Sequence, residues 1–588
     1  MRSIHVLILA WAVVMTTQAF SMDPRDIATG SVISSEGYCD QPYIVVTKQG
    51  HWLCTMTTGP GEEGNDKQHV VSTISHDQGA TWSPLVPIEN QGPPESSWVM
   101  PLLVPSGRIY AFYVYNGVNM REVLNLDGKP IKRVDTLGHY VFKYSDDGGL
   151  TWSAERYRIP IRTFDIDREN TYKGEVQFFW GVGKPMLSGD RAYIGMSKVG
   201  GFGRTFIDLS EGFFLSSGNV QTENDPSKIV WETLPTGDIG LRAPVGPIAE
   251  EQNLVALSDG SLYCTYRTID GNPCHAYSAD GGNTWSAPEY MTYEPDGRRI
   301  KHPRAANFIR KFTNGKYLYW FHNHGGTTYE GRNPVWIAGG IERDGKLYWS
   351  QPEILLYDAN PKTRMSYPDF VETPSSIYVT ETQKSVARVH AIPQRILDAV
   401  WGQHEIKSVA TGNLVVDEAP DGVSPTSAYE IADALPETGL PGITFDFSID
   451  VSSLPTTPTN LFVSMLAQDV TALVVLRPDA GLNLTLMQRA IRQEITTQAG
   501  VLPSGEHHVS VILDAGPRVA MLVVDGQLLD GGTEQTQGWH RIQSDITTPT
   551  KGIKVRVFRN AEFFTTRFRF YSRPLLVSEA VGNWRASQ

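Results

Sequence analysis

Ser75-His-Asp-Gln-Gly-Ala-Thr-Trp82, Ser145-Asp-Asp-Gly-Gly-Leu-Thr-Trp152 and Ser278-Ala-Asp-Gly-Gly-Asn-Thr-Trp285 are three copies of one pattern, Ser-x-Asp-x-Gly-x-Thr-Trp. Each octapeptide encodes a turn. The short Ser and Asp side chains hydrogen-bond the turn's own backbone, the Gly admits positive φ, and the Trp is large enough to anchor the turn by burial. Around these turns, short apolar runs bounded by Gly, Pro and Asp read as strands: Tyr43 to Thr47, Ile109 to Tyr115, Leu262 to Arg267 and Tyr317 to His322.

With these turns the chain resembles the Asp-box (BNR) repeat family, typified by sialidases. In that family the boxes lie on hairpins remote from the active site and also occur in non-enzymatic propellers, so they speak for architecture before function. The first two copies start 70 residues apart and the next two 133 apart, which leaves room for one unit of about 67 residues with a degraded signature. Ser216, Ser217 and Gly218, followed by Trp231, supply that copy, and Ile341 to Trp349 with Asp344 and Gly345 supply a further weak one. Units of this length suit four-stranded blades with long loops. The resemblance implies an all-β chain: a six-bladed β-propeller over residues 22–412, then a β-sandwich over 413–588.

Residues 1–21 read as a secretory signal peptide: Arg2, an apolar stretch from Ile4 to Met15, and a small-residue site near Ala19. The expectation is a secreted or periplasmic protein with no membrane span. A net charge of −13 without a basic block argues against nucleic acid and anionic membranes as partners. Four cysteines are too few for a disulfide scaffold. Cys264 and Cys274 flank a turn and are candidates to pair across a hairpin, and Cys39 with Cys54 is a weaker candidate.

After Leu414 the composition changes to alternating segments such as Ile443 to Ile449, Leu473 to Leu476, His508 to Leu513, Val519 to Val524 and Ile553 to Phe558. The ending Phe568-Arg-Phe-Tyr-Ser-Arg-Pro-Leu575 resembles the last strand of laminin-G-like or concanavalin-like sandwiches. Such a region is either a carbohydrate-binding module or a rigid partner, and a closed ring beside it is expected to fold without it.

The segment from Glu251 through Asp259-Gly260 to Arg267, leading into the third box, is similar to the sialidase segment that holds a catalytic glutamate and the second arginine of a substrate-binding triad. Tyr367, ahead of the strand ending Tyr378-Val-Thr-Glu381, stands where the family has its nucleophilic tyrosine. A neutral phenol attacking an anomeric centre that bears a carboxylate avoids like-charge repulsion, and with a free pKa of about 10 it needs a base, here Glu251. Arg332 stands where the third arginine belongs, and guanidinium forks match a planar carboxylate. Glu381 would orient the first arginine. The departure is Asp40, in Tyr38-Cys-Asp-Gln-Pro42, at that first arginine's place; another cation, Arg242 or Arg304, would have to supply the missing charge. The general acid is sought on the loop 61–69, at Glu63 or Asp66. His322-Asn-His324, at the end of an aromatic strand, puts both side chains on one strand face, a pair that could bind a metal, but no third ligand is evident, a rim hydrogen-bonding role is favoured, and no metal or organic cofactor is expected.

The resemblance thus implies a retaining exo-glycosidase of sialidase type acting on a terminal acidic sugar of a glycan. Two other classes remain open at this point. A propeller polysaccharide lyase acting on uronates would use His139, His324 or Tyr367 as bases, and a non-catalytic glycan-binding protein would suit Asp40.

Overall fold

The computed structural model describes residues 22–202, 207–419, 426–431, 441–466, 470–543 and 553–588; the expected signal peptide lies outside them. The fold is all-β. Between residues 31 and 391 the chain forms six successive sheets of four or five strands, joined by antiparallel pairing of strands that are neighbours in sequence. Their first strands are Tyr38–Val46, Ser96–Leu103, Phe178–Trp180, Glu250–Ala256, Phe308–Lys311 and Ser366–Glu372. Ser31–Ile33 pairs with Ala387–Ala391 as the outer strand of the sixth sheet, tying the start of this region to its end.

The three boxes fold alike. Ser75 Oγ donates to Asp77 Oδ1 at 2.8 Å, Gly79 N donates to Ser75 Oγ at 2.7 Å, and Thr81 N and Oγ1 donate to the two Asp77 oxygens. The same bonds recur at Ser145–Thr151 and Ser278–Thr284. In the third sheet the degraded copy is registered on Ser217, with Asn219 in the Asp role at 3.2 Å and Trp231 set edge-on against Phe112.

Residues 414–571 build a seven-stranded and a six-stranded sheet. Phe445, Phe447 and Phe568 from the first and Val474, Leu484 and Val555 from the second belong to one buried cluster. Two helices, Gln394–Gly402 and Val577–Ser587, were not legible in the strand pattern. Among the described residues no helix is long and apolar enough to cross a membrane. All four cysteines are free and buried. The cross-strand register explains why: Cys264 opposes Ala276 while Cys274 opposes Tyr266, and Cys54 opposes Ile44 while Cys39 opposes Thr58.

The two regions share a core, which the composition shift does not suggest. Tyr319, Phe321, Trp336 and Ile354 pack in one buried cluster with Ile512, Met521, Trp539, Val577 and Val581. Arg25 pairs with Asp23 and with Asp514 at 2.6 Å, all three buried. Glu353 accepts hydrogen bonds from the Val577 and Ser578 amides, 3.1 and 2.7 Å away, at the start of the last helix. Burial raises the Glu353 pKa to about 7. Because that value lies above the unfolded one of about 4.3, the stabilisation linked to Glu353 is complete below that pH and is lost as pH rises through about 7, on the order of 3 kcal/mol in all.

Two outcomes follow. A chain ended near Val415 strips the cover from Tyr319 and Trp336 and is expected to be insoluble, whereas a soluble, cooperatively folding product would contradict the shared core. Glu353→Gln is expected to flatten the fall in thermal stability between about pH 4 and pH 7, as read by melting at several pH values.

Candidate functional site

Four of the six first strands carry the same irregularity. Between Asp40 and Tyr43, Ser97 and Met100, Glu250 and Asn253, and Ser366 and Asp369, the strand advances three residues while its partner advances two. The extra residue makes a bulge, and in each the residue directly after the first of the two named has left-handed backbone: Gln41 at φ 55°, Trp98 at 64°, Glu251 at 62° and Tyr367 at 47°. Such backbone is strained for side chains of this size and persists where surrounding contacts enforce it; bulges of this kind re-aim side chains.

The enforcing contacts are specific. Glu251 N donates to Ser197 Oγ at 2.8 Å, and that hydroxyl donates to Gln252 Oε1 at 3.0 Å. The Gln252 carbonyl oxygen sits so close to Gly183 and Gly195 that a Cβ on either would lie 2.1 Å from it. Asp369 accepts from Ile44 N at 2.8 Å and from Lys184 Nζ at 2.6 Å, fixing the strand that bears Tyr367 to its neighbours.

As a result Tyr367 Oη donates to Glu251 Oε1 across 2.9 Å, with both side chains buried. Arg267 Nη1 lies 2.8 Å from the same oxygen in an ion pair, and Arg267 Nε donates to Glu250 Oε2 at 2.7 Å. Arg304 pairs with Glu250 Oε1 at 2.7 Å. The Tyr329 ring lies over both guanidiniums, 5.7 Å from Arg267 and 4.9 Å from Arg304. Burial raises the Glu251 pKa against the pull of Arg267, and Glu250 adds to the rise. Burial, then the Glu251 charge, pushes the Tyr367 phenol upward.

Arg332 is 3% exposed. It donates from Nη1 to Ser366 Oγ at 2.5 Å and from Nε to Tyr329 O at 2.9 Å, and it has no carboxylate partner among the described residues. Burial lowers its pKa, with the like charges of Arg364 and Arg267 adding to the effect. Arg364, three residues before Tyr367, was not singled out in the sequence; its Nε is buried without a hydrogen-bond partner.

The cation expected beside Asp40 is neither Arg242 nor Arg304. It is Lys384, whose Nζ lies 2.5 Å from Asp40 Oδ2 and 2.9 Å from Glu63 Oε2, 4.5 Å from the Tyr367 ring centroid. Burial opposes its charge, but Asp40 and Glu63 hold its pKa above the ordinary value. Tyr38 Oη also donates to Asp40, at 2.8 Å. Burial raises the Asp40 pKa, whereas Glu63, half-buried, is held well below the carboxylate range by Lys384 and Arg133 against the opposing desolvation.

The remaining candidates fall elsewhere. Arg242 is half exposed and pairs with Glu211. Arg304 joins the cluster through Glu250, away from Asp40. Glu381 is buried beside Gln383 and His390 and pairs with no arginine among the described residues. Asp66 is exposed on the loop that carries Glu63. His139 starts an inner strand of the second sheet, opposite Tyr115, and His324 is bound to Gly331 O at 2.9 Å, so neither joins Tyr367. Asn323 at φ 50° turns the chain between His322 and His324, and His322 stacks on His302 instead. Among the described residues no cluster of three or more metal-ligating side chains exists.

Residues 219–379 match the BNR repeat-like domain model, and residues 143–154 match the BNR/Asp-box repeat model. Within those ranges the chain carries BNR/Asp-box repeats. No curated protein matches the chain. Among solved structures it is similar to Trypanosoma rangeli sialidase in complex with sialic acid, at 11% identity and TM-score 0.43, covering 96% of this chain and 95% of that one. It is also similar to the intramolecular trans-sialidase from Ruminococcus gnavus in complex with oseltamivir carboxylate, at 14% and 0.44, covering 63% of this chain and 99% of that one. A protein of unknown function from Dyadobacter fermentans matches at 15% and 0.44, over 62% of this chain and 97% of that one. Scores this low leave the functional reading to rest on the site's own geometry.

Two measurements test that geometry. Lys384→Met leaves Asp40 buried without its cation and is expected to lower stability by about 3–5 kcal/mol, the range for breaking a buried pair; an unchanged melting temperature would contradict the pairing. Gly195→Ala is expected to displace Gln252 and with it Glu251, breaking the hydrogen bond from Tyr367 and lowering the melting temperature, because the new Cβ meets backbone; an unchanged melting temperature would contradict that close approach.

Proposed function

We propose that the chain is a retaining exo-glycosidase that removes a terminal acidic sugar from glycans, sialic acid or a related sugar, with the six sheets arranged as blades of a propeller that the Ser31–Ile33 strand closes and the C-terminal sheets stacked as a sandwich. The hydrogen bond from Tyr367 to Glu251 carries this reading. It supplies a phenol nucleophile in contact with a carboxylate whose raised pKa makes it a stronger base, and two groups at this spacing divide the work of attack and proton removal.

The steps use this chain's own groups. Tyr367 Oη attacks the anomeric carbon as its proton passes to Glu251 Oε1, and the bond to the leaving oxygen breaks. Asp66 protonates that oxygen, because Glu63 is held ionised between Lys384 and Arg133 and is a poor donor. Water then attacks the anomeric carbon and gives its proton to the ionised Asp66, while Glu251 Oε1 returns its proton to the departing Tyr367 Oη, so both acids and the phenol are restored. Arg332, which has no internal carboxylate, and the Nη2 edge of Arg267 receive the sugar's carboxylate. Lys384 sits over the Tyr367 ring, where its charge favours the phenolate that develops at departure.

Purified protein is to be assayed on aryl glycosides of acidic and neutral sugars, with the released sugar's configuration followed by NMR. The expected result is an acidic monosaccharide released with its configuration retained and no new ultraviolet-absorbing double bond. Tyr367→Phe is expected to cost at least about 100-fold in kcat. Asp66→Asn is expected to spare activated aryl leaving groups and slow unactivated glycans. Activity should fall on the acid side with an apparent pKa above the usual carboxylate value of about 4.3, set by Glu251. A preference for neutral sugars, or an unsaturated product, would overturn the reading.

A further inference from the structure

The loop 322–334, between strands Tyr317–Phe321 and Val335–Arg343, carries both Tyr329 and Arg332. Three of its main-chain groups bond to the C-terminal region, beside the side-chain bonds from Asn333 to Asp358 O and Asn360 O and from Arg332 to Ser366 Oγ. At its start, the Asn323 carbonyl accepts from Trp539 Nε1 at 2.8 Å, and Gly325 N donates to Thr536 O at 2.7 Å. At its end, the Asn333 carbonyl accepts from Arg541 Nη2 at 2.8 Å. Trp539 is buried with its ring 5.8 Å from that of Trp336, the second residue of the strand that follows the loop.

The segment that makes these bonds is itself locked to the first region. Lys301 Nζ donates to the carbonyls of Asp530, Gly532 and Gln535 at 2.7, 2.6 and 2.6 Å, three acceptors for its three protons. Arg298 Nη1 lies 2.8 Å from Asp530 Oδ2 and 2.9 Å from Leu528 O. Residues 528–541 therefore form a brace: one side grips the Lys301–Arg298 segment, the other grips both ends of the loop bearing Arg332.

We propose that this brace positions Arg332 and Tyr329 for substrate, making the C-terminal region a working wall of the active site rather than an appended module. The inference rests on the glycosidase reading for what Arg332 binds, though not for what holds the loop. Trp539, Arg541 and Lys301 act through the loop and are positioning residues. Arg332 holds an anionic group present in both the bound substrate and the transition state, so loosening its loop raises KM and leaves kcat nearly unchanged.

The experiment uses the full chain, with Trp539→Phe, which keeps a ring against Trp336 and removes the donor, and with Arg541→Met and Arg541→Lys. Hydrogen exchange is read on peptides spanning 322–334, and kinetics on an acidic aryl glycoside. Trp539→Phe and Arg541→Met are expected to speed exchange in that loop by about five- to tenfold, the effect of losing one hydrogen bond. KM is expected to rise by a similar factor at near-normal kcat. Arg541→Lys restores a donor to Asn333 O and is expected to recover both values. Unchanged loop exchange overturns the proposal, as does a KM that stays at the wild-type value in an active enzyme. If wild-type protein cleaves no acidic glycoside, the glycosidase reading fails, and loop exchange alone still decides whether the brace positions Arg332.

Discussion

Glu251 and Tyr367 meet because each of their strands carries one residue more than its partner. A regular strand alternates its side chains between the two faces of a sheet. The inserted residue breaks that alternation and turns a side chain out of the ladder toward the end of the strand. Left-handed backbone at Glu and Tyr is unfavourable on its own, by about 1–3 kcal/mol per residue. The Ser197 hydroxyl, the Gln252 carbonyl seated against Gly183 and Gly195, and Asp369 with its two donors hold it in place. The chemistry at this end of the sheets depends on that constraint.

The electrostatics around the pair are balanced almost throughout. Glu250 takes Arg304 and a share of Arg267, Glu251 takes the rest, Asp40 and Glu63 divide Lys384, and Glu63 and Asp135 divide Arg133. Burying charges is tolerable only in such pairs. Among the described residues Arg332, with a hydroxyl and a carbonyl as its acceptors, and Arg364, whose Nε is buried without a partner, have no carboxylate; in the proposed function this is where the substrate's anion is received. The same logic explains how an acid tolerates the place where an arginine was expected: Asp40 is neutralised by Lys384, 344 residues away in sequence, and the site keeps a cation beside the tyrosine ring.

Much of this was legible in the residues. The box turns announced their own hydrogen bonds, and the runs Ile109–Tyr115, Leu262–Arg267, Val519–Val524 and Ile553–Phe558 are strands with the bounds read from sequence. The order Glu251, Arg267, Arg332, Tyr367 named side chains that do converge. What failed was information that is not local. Nothing in Glu or Tyr signals positive φ. Lys384 follows a polar Gln in a turn and reads as a solvated lysine, and only the misplaced acid at Asp40 implied that a cation must lie near. The cysteines were judged by turn symmetry, whereas the ladder register sets them apart. The composition shift after Leu414 suggested independence, because a shared core such as Trp336 against Trp539 leaves no trace in either segment alone.

The central claim is that Tyr367 forms a bond to the sugar. It is tested most directly by incubating the protein with an acidic sugar bearing a fluorine leaving group and a second fluorine that slows turnover, then mapping the modified peptide by mass spectrometry. The account predicts one sugar attached, on Tyr367, and no adduct with Tyr367→Phe. An adduct on another residue, or turnover of that reagent by the Phe variant at the wild-type rate, would contradict it.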